Sequence, residues 1–194
     1  MGIKTARIEP NWNYFLAIER DLEELSRFVE FDARNFDCFS LEIARILLAA
    51  GAEVDVVCKQ VCRLKDPKSK ASNINVYRQE ILKYCPKIPQ FAVEIPRFGL
   101  TLHPWDEWNT AAGVPFWWTA YNKIKHHRDS EYHRASLKNV LNAVAALFVA
   151  TLHLYPERAK RGELVPSPQL CRPGAGHFGG STYNDFEFGI NYRL

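Results

Sequence analysis

The segment AVAALFVATLHLY, residues 143–155, is the longest apolar run in the chain. It is shorter than the roughly 20 residues that a helix needs to cross a bilayer, and it contains His153. Upstream of it, apolar side chains continue at spacings of three and four residues through Leu137, Val140 and Leu141. The sequence therefore predicts a long buried helix here rather than a membrane span.

The ends of this helix are predicted from capping signals. Asp129, Ser130 and Glu131 supply a capping side chain and acidic charge, so we expect the helix to start near Asp129 or Ser130. Proline cannot continue a helix, so we expect the end at Tyr155, immediately before Pro156.

Earlier parts of the chain show the same helical spacing of apolar residues. These segments are residues 11–33, the stretch from Ser40 to the DPKSK turn at 66–70, the stretch from Asn73 to Cys85, and residues 116–127, which follow Pro115. Gly51 lies inside the second segment and is a candidate kink. The sequence thus predicts several amphipathic helices before the long apolar one.

Between the last two of these segments the spacing of apolar residues changes to two. The alternating residues are Phe91, Val93 and Ile95, then Phe98, Leu100 and Leu102. They predict a small β-hairpin at about residues 91–102. Beyond residue 155, proline and glycine become frequent, which indicates a loop-rich C-terminal tail that packs back onto the domain. We therefore expect an all-α or mainly α fold, with a helical domain at residues 1–155 and a tail at residues 156–194.

The composition is that of an ordinary globular protein. With 25 basic and 22 acidic side chains, the formal charge of +3 does not by itself indicate a nucleic-acid or membrane partner. The opening MGIKTARIEP lacks the apolar core of a secretory signal and the five cysteines are odd in number, so we expect a cytoplasmic protein with reduced thiols and no membrane partner. There is no Walker loop, no G-x-S-x-G elbow and no H-E-x-x-H motif, and we expect no cofactor.

The segment FWWTAYNKIKHHRDSEYHRASLKNVL, residues 116–141, combines aromatic, basic and imidazole side chains. Helical spacing places Tyr121, Lys125 and Arg128 on one stripe, and Asn122 with His126 on the adjacent one. Lys125 and Arg128 can hold the charge of a phosphodiester, and His126 can exchange protons near neutral pH. The segment is therefore a candidate site for RNA or another phosphate ligand.

A purely structural interpretation of the same segment stays open. Cations in the last turn of a helix meet the negative end of its dipole, and Asp129 and Glu131 would lie at the positive end of the next helix. The rings of Trp117, Trp118 and Tyr121 are either faces on which unpaired bases stack or core residues.

Metal binding is not expected from the histidines or the cysteines. His126, His127 and His133 are poorly arranged for zinc, because adjacent side chains on a helix point about 100° apart. Cys58 and Cys62 lie four residues apart but lack the paired short spacings of structural zinc sites, so we expect them to pack in the core.

An all-α domain whose penultimate helix ends in a polar, basic and histidine-containing cluster, followed by a long apolar helix, resembles the HEPN superfamily of helical-bundle domains. The usual signature of that superfamily is an arginine, a polar residue, three to five further residues and a histidine. In the segment YNKIKH, Asn122 takes the polar position and His126 the histidine position, whereas Tyr121 stands at the arginine position. A second register, from Arg128 to His133, has a genuine arginine and the same spacing.

The resemblance implies a HEPN-like helical bundle over residues 11–155 and a metal-independent endoribonuclease of a toxin or defence type. His126 would act as base on a ribose 2′-hydroxyl, while Lys125 or Arg128 stabilises the charge that develops on the phosphate. Substrate contacts are then expected from Trp118, Tyr121, Asn122, His127 and His133. The alternative is a catalytically silent HEPN-like module that binds RNA, a nucleotide or a protein. HEPN-like sites commonly form where two protomers meet, which implies a homodimer through the final helices.

Overall fold

The computed structural model describes residues 9–184 and 187–194, and its fold is mainly α-helical. The helices are α1 (Pro10–Leu25), α2 (Leu41–Lys65), α3 (Ile74–Tyr84), α4 (Phe116–Glu131), α5 (Leu137–Leu154) and α6 (Pro156–Arg161). Short 3-10 turns lie between them, for example at Ala33–Asn35, Asp106–Asn109 and Tyr132–Arg134. The prediction of a mainly α fold with a small β insertion is confirmed.

α5 is the central helix of the protein. Residues 140–154 are all buried, because α1, α2 and α4 pack around them. The helix is long and apolar enough to cross a membrane, but 83% of it is buried inside the protein, which is typical of a core helix. The prediction of a long buried helix in this part of the chain is confirmed.

The expected start of α5 near Asp129 or Ser130 is wrong. Both residues belong to the end of α4, and Ser136 caps α5 instead, with its Oγ accepting a hydrogen bond from the backbone N–H of Asn139 at 3.4 Å. A backbone bridge to Phe39 holds Ser136 in the extended conformation that an N-cap requires. Asp129, Ser130 and Ser136 all carry side chains that can cap a helix, so tertiary contacts decide which of them starts α5.

α1 is shorter than predicted, whereas the predicted starts of α2 and α3 agree with the structure. The chain leaves α1 after Leu25 rather than at Ala33, and the Ser26 hydroxyl donates a hydrogen bond back to a carbonyl of the last turn. The predicted N-caps are confirmed, because the side chains of Ser40 and Asn73 accept hydrogen bonds from backbone N–H groups in the first turns of α2 and α3.

Small antiparallel sheets accompany the helices. β1 (Val93–Ile95) and β2 (Leu100–Leu102) form the predicted hairpin, and β3 (Arg172–Pro173) pairs with the other edge of β1. β4 (Phe178–Asn184) and β5 (Glu187–Tyr192) form a second hairpin, which contacts α6 through β5. The tail therefore contains strands as well as the predicted loops, and it packs back onto the helical body.

A buried carboxylate connects α1 with the tail. The Glu19 side chain is 2% exposed and accepts hydrogen bonds from three consecutive backbone N–H groups. The donors are Gln169 at 2.8 Å, Leu170 at 3.0 Å and Cys171 at 2.8 Å. Burial raises the pKa of Glu19 above its usual value, and the hydrogen bonds, which favour the charged form, offset part of that increase.

Candidate nucleic-acid interface on helix α4

One face of α4 belongs to the core. Trp117 is fully buried, and Trp118 and Tyr121 expose only 6% and 4% of their surfaces. The Trp117 indole N–H donates to the carbonyl oxygen of Pro104 at 2.7 Å, and the Trp118 ring lies 5.2 Å from the Tyr121 ring, centroid to centroid. Of the two alternatives that the sequence left open for these rings, their burial favours core residues over open stacking faces.

Tyr121 is buried against a glycine of α2. α2 runs as one helix from Leu41 to Lys65, past the candidate kink at Gly51. A Cβ atom added at Gly51 would lie only 2.4 Å from Cδ2 of the Tyr121 ring. Gly51 therefore lets α4 approach α2 closely, and this contact seats the tyrosine that stands at the arginine position of the motif.

Replacing Gly51 by alanine tests this contact. Inside an exposed helix alanine is more stable than glycine by roughly 0.5–1 kcal/mol. At this position the added methyl group meets the Tyr121 ring, so we expect the free energy of unfolding to fall by about 1–3 kcal/mol in urea denaturation. The control Ala52→Ser, at the exposed neighbouring position, should change it by less than about 0.5 kcal/mol. A stabilised Gly51→Ala protein would contradict the close contact.

The other face of α4 carries the basic residues. Lys125, His126, His127 and Arg128 are exposed, and His127 has the non-helical backbone angles φ −140° and ψ 41°. Because of this interruption, Arg128 does not follow the helical spacing on which its predicted position beside Tyr121 and Lys125 depends. Lys125, His126 and Arg128 nevertheless line one groove of about 460 Å³ between α4 and α2.

Two neighbouring depressions extend this groove along α4. The first, of about 330 Å³, is lined by residues that include Trp118, Asn122, Lys123, His126 and His127. The second, of about 400 Å³, is lined by residues that include Asp55, Asn73, Asn75, Asn122 and Lys125. Asn122, Lys125 and His126 each line two of the three depressions. The three therefore form one continuous surface, which we call the α4 groove, and these residues lie where its parts meet.

The carboxylate of Glu131, the last residue of α4, lies beside several of the basic residues of this segment. Glu131 forms an ion pair with Arg134 and lies 3.6 Å from Nζ of Lys123 and 4.0 Å from Nε2 of His133. The Arg134 guanidinium is the main cause of the lowered pKa of Glu131. His133 thus lies beside Glu131 and lines none of the three depressions, so the register from Arg128 to His133 is not brought together in the α4 groove.

The other basic residues of the α4 groove, unlike Lys123, are not neutralised in this way. Lys125, His126 and Arg128 form no ion pair with any residue that the structure describes. Nζ of Lys125 lies 5.6 Å from the centroid of the Tyr121 ring, which is a weak cation–π contact. The purely structural interpretation relied on helix dipoles and on Asp129 and Glu131. Glu131 accounts for Lys123 and Arg134, whereas Asp129 lines the same depression as Lys125, His126 and Arg128 without forming an ion pair with them.

These side chains define what the α4 groove can do chemically. Lys125 and Arg128 are solvated cations that can bind a phosphodiester, and His126 is an exposed imidazole that can exchange protons. The imidazole of His126 has no hydrogen-bond partner within residues 9–184 and 187–194, so a bound ligand would have to orient it. Among the same residues, no three His, Cys, Asp or Glu side chains are arranged to hold a metal ion.

The cysteines of α2 belong to the core, as predicted. Cys58 and Cys62 are buried and free. Burial raises the pKa of the Cys58 thiol well above its usual value and that of Cys62 to about 12, so both stay protonated and unreactive at neutral pH.

α5 offers little surface to a second protomer. Lys138 is its one exposed residue and Asn139 is half-buried, whereas every other position in the helix is buried. The homodimer through the final helices that the HEPN resemblance implies stays a prediction, and α5 itself exposes only the residues near its start.

The sequence analysis missed the residues that face α4 from other helices. Asp55 of α2, with Asn73 and Asn75 at the start of α3, lines the depression that Asn122 also lines. The carboxylate of Asp55 accepts a hydrogen bond from the Tyr77 hydroxyl at 2.7 Å. Asn73 was identifiable only as a helix cap, because no local sequence signal places the start of α3 beside α4.

No protein-family model, curated protein or solved structure matches this chain. A function is therefore inferred from the α4 groove, with the HEPN resemblance as a source of hypotheses.

Proposed function

We propose that the protein binds RNA in the α4 groove and cleaves it without a metal ion, as a HEPN-like endoribonuclease of a cytoplasmic toxin or defence system. The observation that carries the proposal is that Lys125, His126 and Arg128 line one open groove and have no ion-pair partner in the described part of the chain. Lys125 and Arg128 are therefore available to phosphate groups, whereas a paired cation must first lose its partner.

The α4 groove contains the types of group that RNA transesterification requires. The neutral imidazole of His126 removes the proton from a ribose 2′-hydroxyl, and the 2′-oxygen attacks the adjacent phosphorus. Lys125 or Arg128 stabilises the negative charge that develops on the phosphoryl oxygens. The bond to the 5′-oxygen breaks, this oxygen takes a proton from solvent, and a 2′,3′-cyclic phosphate remains on the other product. Asn122 contacts the substrate through its side-chain amide.

Binding without cleavage is the second candidate function, and two observations favour it. Tyr121 stands at the arginine position of the motif and packs against Gly51, so this position offers no positive charge to a phosphate. The imidazole of His126 lacks a described partner that fixes its orientation, which general bases usually have. In this case the α4 groove holds RNA, a nucleotide or a protein segment, and no bond is broken.

Replacing Lys125 and Arg128 together by alanine is expected to weaken RNA binding by about 10–100-fold, because two phosphate contacts are lost. The slope of log affinity against log salt concentration should also become shallower by about 1.4, since each contact with a single strand contributes about 0.7. Fluorescence anisotropy with labelled single-stranded RNA at several salt concentrations measures both quantities.

The matched control for this experiment removes one arginine and one lysine from exposed positions outside the α4 groove. The double variant Arg63→Ala and Lys83→Ala meets this requirement and should leave the salt slope unchanged. An equal loss of affinity in both double variants would indicate non-specific attraction. Undetectable or salt-insensitive RNA binding by the wild type would contradict the proposed site.

Cleavage in the presence of a chelator distinguishes the two candidate functions. If the protein is the proposed ribonuclease, it yields fragments with 2′,3′-cyclic phosphate ends, and His126→Ala lowers the rate by about 10²–10⁴-fold. His103→Ala, which removes an exposed histidine outside the α4 groove, should keep the rate. Activity that survives in His126→Ala would show that His126 is not the catalytic base. Salt-dependent binding without any cleavage would support the second candidate function, a binding module without catalysis.

A further inference from the structure

A second cavity, of about 250 Å³, lies at the C-terminal end of α2. Its lining includes Lys65, the last residue of α2, whereas the α4 groove extends along the same helix no farther than Asp55. At 1.5 Å per residue these two positions lie roughly 15 Å apart along the helix. The cavity is therefore separate from the proposed RNA site, and nothing in the following argument depends on that site.

Three lysines give this cavity a positive character. Lys65, Lys87 and Lys160 all line it. The thiol of Cys85, which also lines it, has a pKa raised by burial, and the ammonium groups of Lys65 and Lys160 act in the opposite direction. Both ammonium groups therefore lie within electrostatic range of one point in the cavity. No described carboxylate contributes to the pKa of that thiol.

Negative charge near the cavity only partly offsets the lysines. α2, α3 and α5 end beside it, and each helix end carries about half a negative charge. Lys160 lies 3.4 Å from a carboxylate oxygen of Glu157, but both side chains are more than half exposed, so this pair is weak. Lys65 and Lys87 form no ion pair among the described residues. Lys65 and Lys87 are thus cations with which a negatively charged ligand can pair.

His153 gives the cavity a hydrogen-bond acceptor. Nδ1 of this histidine lies 2.8 Å from the carbonyl oxygen of Val149. Because a carbonyl oxygen can only accept, the proton of the neutral ring is on Nδ1, and Nε2 carries a free lone pair. Burial lowers the pKa of His153 to about 4, so the ring is neutral at physiological pH.

Nε2 of His153 is directed toward the cavity. The residue is only 4% exposed and lines the cavity. Nε2 has no hydrogen-bond partner in the described part of the chain. It is also not fully enclosed by the protein, so a molecule in the cavity can reach it. The small exposed part of this side chain therefore includes an unoccupied acceptor in the cavity that the three lysines also line.

We infer that this cavity binds a phosphate group, either free or carried by a small molecule. The three lysines hold the charged oxygens, and Nε2 of His153 accepts a hydrogen bond from a hydroxyl on the ligand. A fully deprotonated oxyanion such as sulfate satisfies the lysines but has no proton to donate. The cavity should thus distinguish inorganic phosphate, which keeps at least one proton at neutral pH, from sulfate. Its volume is below the range of drug-sized pockets and suits a small ligand.

Isothermal titration calorimetry of the full chain at neutral pH and constant ionic strength tests the inference with phosphate and sulfate as probes. We expect phosphate to bind about tenfold more tightly than sulfate, which is the effect of one hydrogen bond to a polar group. Lys65→Met should weaken both anions by about tenfold or more. The control Lys83→Met, which removes a lysine outside the cavity, should affect neither.

The role of His153 is tested separately from that of the lysines. His153→Phe should keep sulfate affinity and lose the preference for phosphate. If this variant does not fold, the 15N chemical shift of Nε2 in the wild type replaces it, because a hydrogen bond from phosphate should move that signal and sulfate should not. Equal affinity for the two anions, no effect of Lys65→Met, or an unmoved Nε2 signal would overturn the inference.

Glycerol 2-phosphate then separates the two possible sources of the phosphate group, the free ion and a small molecule. Tighter binding than inorganic phosphate indicates a phosphorylated small molecule, and weaker binding indicates the free ion.

Discussion

Replacing Glu19 by alanine is expected to lower the free energy of unfolding by about 3–5 kcal/mol, as measured by urea denaturation. The Glu19 carboxylate accepts hydrogen bonds from three consecutive N–H groups of residues 169–171, and it is almost completely buried. Alanine leaves those donors without a partner in a place that water reaches poorly. The tail must then either keep three unsatisfied N–H groups or detach from α1, and both outcomes are costly.

A control on the same helix separates this effect from a general loss of acidic charge. Glu24 is exposed, and Glu24→Ala should change the free energy of unfolding by less than about 0.5 kcal/mol. Glu19→Gln should fall between the two alanine variants, because its amide has one acceptor oxygen for three donors and its own N–H₂ group opposes one of them. A Glu19→Ala protein as stable as Glu24→Ala would show that this connection contributes little to folding.

Acid is expected to destabilise the protein through His153, by about 3 kcal/mol between its ordinary pKa of 6.5 and its folded value of about 4. The folded state binds this proton more weakly than the unfolded chain, because burial penalises the charged ring. The contribution of His153 is therefore fully present above pH 6.5 and is lost as the pH falls toward about 4. Glu19 acts in the opposite direction, because its raised pKa favours the folded state at low pH.

Comparison of variants isolates the His153 effect from other titrating groups. As the pH falls from 6.5 to about 4, the unfolding free energy of the wild type should fall by about 3 kcal/mol relative to that of His153→Phe. The unfolding free energy of His103→Gln should change with pH as that of the wild type does. An NMR titration of the folded protein supplies a direct check. A His153 ring that titrates near 6.5 would contradict the proposed neutral state.

The helical part of the fold could be predicted because its signals are local. Apolar periodicity together with Ser40 and Asn73 determines where α2 and α3 begin, and the structure agrees. Prediction failed at the start of α5, where Asp129 and Ser130 are as suitable for capping as Ser136. The choice among them depends on the bridge to Phe39, which is nearly a hundred residues distant in sequence and carries no local signal.

The candidate site was predictable where its residues are neighbours in sequence and not where the fold assembles it. Asn122, Lys125 and His126 were expected to act together, and the structure brings them to the junction of the α4 groove. The burial of Tyr121 was not foreseen, because it depends on the absence of a side chain at Gly51 in another helix. Asp55 was missed for a similar reason, since only the packing of α2 against α4 places it in the groove.

The hydrogen bonds of Glu19 also constrain when this chain can finish folding during its synthesis. The carboxylate leaves the ribosome with α1, but its first donor, Gln169, follows 150 residues later. Throughout that interval the Glu19 carboxylate has none of these three donors. A nascent chain that stalls before residue 169 therefore lacks the connection between α1 and the tail, which only the finished protein can form.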